Sequence, residues 1–145
     1  MTRPAGCGGQ RGSVTVELTL VVPALVLMLG LLVAGGRLWF ARTTVVEAAH
    51  SAARTASLAR TASAAAADGH AAGQASLRTA GLLCASTSVQ VQTGAFAVPV
   101  GTPATVRSTV VCTVPLGDIA LPGLPGSIRL AGDGSAALDT YRSRG

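Results

Sequence analysis

Lysine is missing from this chain: all eleven of its basic residues are arginine. Aromatic residues are scarce as well, at 3%, with one Trp, one Tyr and two Phe among 145 residues. Charged residues reach only 12%, about half of the ~25% usual in soluble domains. Low charge combined with 49% hydrophobic residues is the reverse of the composition that keeps a chain disordered. The formal net charge of +5 is spread along the chain with no run of adjacent basic residues. A nucleic-acid surface needs a basic stripe with stacking aromatics, so no nucleic acid is expected as a partner. The two histidines, His50 and His70, belong to no Cys/His/acid cluster with metal-ligand spacing, so neither a metal nor another cofactor is expected. No G-x-S-x-G elbow or comparable nucleophile motif occurs, and Gly8-Gly9 follows no strand that would make it a phosphate loop. The composition therefore predicts no enzyme and no small-molecule substrate.

The apolar residues that are present are concentrated. The nineteen residues 18–36 carry no charge and are rich in Leu and Val. As a helix they extend about 28 Å, close to the ~30 Å of a bilayer's hydrocarbon core. The small, aromatic-poor remainder is a poor candidate to surround such a helix as a buried core element. Pro23 within the run is tolerated in a membrane helix. Trp39 and Phe40, flanked by Arg37 and Arg42, have the chemistry of an interfacial anchor.

Beyond the run the helical signal continues. Eleven of the twenty residues 48–67 are alanine, with no Gly or Pro among them, which favours helix strongly. Val45, Ala49, Ala52, Ala56 and Ala59 recur at alternating spacings of four and three, a coiled-coil-like seam of small side chains that admits a partner helix at close range. Asp68-Gly69 is the expected stop, with a shorter helix over 71–83 to follow. After Cys84 the period changes to two: residues 88–92 and 105–114 alternate as half-buried strands do. Val106, Ser108, Val110, Cys112 and Val114 share one face of the second run, and Arg107, Thr109, Val111 and Thr113 the other. Residues 96–100 are a candidate third strand, placed at an edge by Pro99, and 127–131 a candidate last strand. The fold class read from this pattern is α+β, a long N-terminal transmembrane and amphipathic helix followed by a small antiparallel β-sheet head.

Cys84 and Cys112 lie on one side of the apolar run and Cys7 on the other, as a boundary between two redox compartments would separate them. A Cys84–Cys112 disulfide would contribute about 3–4 kcal/mol in the loop-entropy account; the alternative is a pair of free, buried thiols. Glu17 is the only charge between Arg11 and Arg37, and an ionisable group in a membrane helix marks function unless it merely snorkels at the edge. Its surroundings, Arg11-Gly12-Ser13-Val14-Thr15-Val16-Glu17, place a glycine and then a glutamate five residues on, between a basic leader and the apolar run. This arrangement resembles a type IV prepilin. Together with Leu18 and the later Val22-Pro23-Ala24-Leu25, it is most similar to the TadE-like pseudopilins of tight-adherence pilus systems. The later Ala48–Arg54 and the terminal Asp139-Thr140-Tyr141-Arg142 are similar to that family too; the resemblance is specific over about 11–60 and loose beyond, where it rests mainly on the paired cysteines and alternating valines.

The resemblance implies a leader of residues 1–12, removed by a prepilin peptidase between Gly12 and Ser13. It implies a pairing of Glu17 with the new Ser13 amine of a neighbouring subunit, and co-assembly with other pilin-like subunits through the N-terminal helix. Each charge is costly at membrane depth and less so when paired. The expected organisation is a leader at 1–12, a transmembrane helix at 13–36, an alanine-rich helical stalk at 37–83 and a β-rich head at 84–145. The expected location is the cell membrane, crossed once, with the head extracytoplasmic. Arg37, Arg42 and Arg54 outnumber Arg3 and Arg11 across the run, so the positive-inside rule favours the opposite orientation; the oxidised cysteine pair decides for an outward head. The alternatives are a secreted binding domain cut near Gly35-Gly36 as by a signal peptidase, and a plain signal-anchored surface protein.

Overall fold

A computed structural model describes residues 13–119 and 125–141, with side chains over 18–118 and 125–141. The first helix, α1, runs over Ser13–Leu58 and passes through Pro23 without a break. Helix α2 (Ala62–Thr79) returns along it, and strands β1 (Ser86–Gln92), β2 (Ala104–Pro115) and β3 (Ser127–Leu138) follow. A four-residue helix, α3 (Leu116–Ile119), lies between β2 and β3. The strands form one antiparallel sheet in the order β1-β2-β3. Its centre is marked by Val89 opposite Val110, and Val110 opposite Gly132. The α+β class, with a long apolar helix followed by a small antiparallel sheet, is the observed one.

One helix was expected across 13–67, and two are found. Thr61 caps the second, its Oγ1 accepting from the Ala64 amide at 3.2 Å, which satisfies one of the donors a helix start leaves open. The expected stop, Asp68-Gly69, lies inside α2, and Gly69 and Gly73 are buried there. A Cβ on Gly69 would sit 2.8 Å from Val91 Cγ2 and 3.1 Å from Ala56 Cβ; one on Gly73 would sit 3.0 Å from Val89 Cγ1. These glycines let α2 lie close against α1 and β1, and that packing outweighs the ~1 kcal/mol propensity cost of a helical glycine. The real stop is Gly81, whose φ of 72° suits a residue without Cβ. The Leu82 amide donates to the Leu77 carbonyl and the Gly81 amide to that of Arg78, closing the helix in a Schellman motif.

The two helices lie on one face of the sheet. Val106, Ser108, Val110, Cys112 and Val114 point at them and are buried, the face that alternation assigned to the interior. The other face is largely polar, with Thr109 Oγ1 donating to Asp133 at 2.7 Å and Ser86 Oγ to Thr113 at 2.9 Å. The alanine seam is consumed here: Val45, Ala49, Ala52 and Ala56 of α1 are fully buried, and Ala59, just past the helix end, is partly buried. Its partner is α2 together with the backbone of β3. A Cβ on Gly132 would stand 2.8 Å from the Val45 carbonyl, and one on Gly134 2.5 Å from the His50 nitrogen. Buried Ser108 donates its hydroxyl to the Ala49 carbonyl, so strand and helix are hydrogen-bonded as well as packed. The alanine-rich helices expected as a stalk and the sheet expected as a head are thus mounted directly on one another.

Two strand expectations change. Residues 96–100 are not a strand: a 3-10 turn occupies Gly94–Ala97, its Phe96 amide donating to the Thr93 carbonyl, and half-buried Phe96 packs on the second core cluster around Val106 and Leu138. Strand β3 is longer than 127–131, running on to Leu138. Its Gly132 and Gly134 weaken the strand pattern in the sequence and are used for close approach in the fold.

Candidate functional site: the exposed half of the N-terminal helix

From Leu18 to Val33 every side chain of α1 is exposed, Leu27 at 71%. Among the described residues nothing comes within 4 Å of where a Cβ would stand on Gly30, Gly35 or Gly36. This is the reverse of how a protein in water disposes its leucines. The helix over Leu18–Leu58 is long and apolar enough to cross a membrane, and none of its most apolar window is buried. Packing against the core of the head begins at Leu38, which lies on the cluster of Ala41, Val45 and Val114. Trp39, at 72%, and Phe40 remain exposed. Thr43 and Thr44 fold their hydroxyls back onto the Trp39 and Phe40 carbonyls, so neither leaves a polar hydrogen unpaired beside the apolar run.

Of the residues singled out in the sequence, Gly12 lies outside the described residues. Ser13 opens α1 and Glu17 follows four positions later in it. That spacing sets the two on one side of the helix, about one turn apart. Cys84 and Cys112 are joined, with their Cα atoms 5.5 Å apart, tying the turn after α2 to the central strand. Cys7, like Gly12, is outside the described residues. His50 and His70 are both exposed, and the described residues contain no group of three or more His, Cys, Asp or Glu that could hold a metal ion.

A groove that the sequence did not reveal lies where the helix enters the head. It encloses about 740 Å³ between Val33, Gly36 and Phe40 on α1, Leu83 after α2, and Val114 and Asp118 beyond β2. Arg37 stands at its rim, with one guanidinium nitrogen 3.4 Å from the Asp118 carbonyl. Its lining is gathered from segments that are far apart in the chain, which is why no local pattern announced it.

The arrangement defines a class: a candidate single-pass membrane protein whose apolar rod is continuous with a small, disulfide-tied α+β head. Over residues 12–54 the chain matches the family model described as TadE-like protein, the family that the residues around Gly12 and Glu17 resemble. It is a family of pilus-assembly subunits, pilin-like membrane proteins, and not one of enzymes. No curated protein and no solved structure matches the chain.

Proposed function

We propose that the chain is a pilin-like subunit of a pilus or secretion apparatus. In this reading a prepilin peptidase cuts between Gly12 and Ser13, and the helix then remains in the cell membrane. The head lies on the extracytoplasmic side, where the Cys84–Cys112 bond finds an oxidising compartment. Glu17 of one subunit neutralises the Ser13 amine of the next as their helices stack. The observation that carries this reading is the extent of the family match, which begins at Gly12 and covers Glu17, the apolar run and the first buried alanines.

The mass of the N-terminus in the membrane fraction tests it. A chain starting at Ser13 is expected; a start near Gly36 would make the protein a secreted domain, and an unprocessed chain a plain anchored one. Cleavage near Gly36 would also divide α1 a few residues before Leu38 and Ala41 enter the core. For the pairing, Glu17→Ala should leave membrane insertion intact and reduce co-purification with other pilin-like subunits at least several-fold. Equal recovery of those subunits with the variant would remove Glu17 from the assembly.

A further inference from the structure

The head grips α1 almost as soon as the apolar run ends. If residues 18–36 fill the hydrocarbon layer, Leu38 lies about 3 Å and Ala41 about 8 Å beyond its edge along the helix. The headgroup layer on each side of a bilayer is itself about 5–8 Å deep. The near end of the head therefore has no room to stand clear of the membrane, and its surface there carries exposed apolar side chains, Leu83 at 73% and Phe40, with Arg37 and Asp118 as the charged groups beside them. Between them opens the groove described above, one wall of which, Val33 and Gly36, is the span itself. A groove continuous with a lipid-facing helix is filled by the medium that surrounds the helix. Among the described residues Arg37 at its rim gives one long contact, to the Asp118 carbonyl, and a guanidinium has five donors suited to phosphate oxygens.

We infer that the near end of the head is seated in the membrane interface, with a phospholipid in this groove: acyl chain along Val33, Phe40 and Leu83, phosphate on Arg37. The seat fixes the tilt and rotation of the head on its rod, which a flexible spacer would leave free. The inference rests on the membrane-anchor part of the proposed function.

The test uses the full chain in phosphatidylcholine vesicles at high lipid-to-protein ratio, with bromine on the upper acyl chain as quencher. Three single-tryptophan forms are compared: the native chain with Trp39, Leu83→Trp in a Trp39→Phe background, and Tyr141→Trp in the same background as a reporter at the far end of the head. Loss of most emission is expected at positions 39 and 83, with none at 141. Quenching at 39 without quenching at 83 would overturn the seat while leaving the anchor in place. Quenching at neither would overturn the anchor itself and the seat with it. Shielding of position 83 from both bromine and aqueous acrylamide, with cross-linked dimers, would mean that a second copy fills the groove, and would overturn the lipid.

Discussion

The two halves of α1 are one continuous helix that follows opposite rules. Before Arg37 its large side chains, Leu20, Leu27, Met28 and Leu31, are exposed; after it, small ones, Ala41, Ala48, Ala49, Ala52 and Ala56, are buried. In water the larger residue gains more from burial, by about 0.8 kcal/mol per methylene, so the first half is built for a different solvent. The second half has the opposite need. Its alanines give little area each, and their value is the close approach they permit to Gly69, Gly73, Gly132 and Gly134. Leucine is left exposed on a helix able to cross a membrane and alanine faces protein: the size of the apolar residue, more than its apolarity, tells the halves apart.

The contrast can be broken by substitution. The largest effect on the folded head is expected from Cys112→Ser, which opens the bond holding β2 to the end of α2. It should cost about 3–4 kcal/mol, read as a lower melting temperature and faster proteolysis in detergent. Equal resistance of the native chain with and without reductant would deny the bond any role. Next is Gly134→Val against Gly35→Val, the same change in each half. In the head the new side chain meets the backbone of Ala49 and His50, and overpacking of this kind costs about 1–3 kcal/mol. In the rod it meets nothing, and the melting temperature should not move. The smallest pair is Val45→Ala against Leu27→Ala. Loss of the fully buried valine should cost about 1.5 kcal/mol, whereas loss of the larger leucine should leave the head's unfolding unchanged. A head destabilised by Leu27→Ala would mean that the rod packs against the protein after all.

Much of this was legible because it is written in short-range patterns. The nineteen uncharged residues 18–36 name their own solvent, and strict alternation from Val106 to Val114 assigns the buried face of β2 without knowledge of its neighbours. Gly12, Ser13 and Glu17 are visible as a motif for the same reason, since their meaning lies in spacing. The differences at the glycines share one cause. Gly69 carries the signal of a helix stop yet lies inside α2, and Gly132 and Gly134 weaken the pattern of a strand that runs to Leu138. In each case a local propensity against regular structure was overruled by a neighbour that needed the missing Cβ. Phe96 differs for another reason: its segment reads as a strand, but its side chain packs on the cluster around Val106 from a 3-10 turn.

From sequence alone came the class of the fold and the membrane-length apolar run of the first half-helix, because hydrophobic period and uninterrupted apolar length depend only on residues adjacent in the chain. Tertiary structure decided where the alanine seam finds its partner, why the glycines stand where they do, and that a groove opens beside Arg37. Those features require segments that are not neighbours in the chain, from Ala56 and Gly69 to Val45 and Gly132, to meet at van der Waals distance, and no local pattern carries that information.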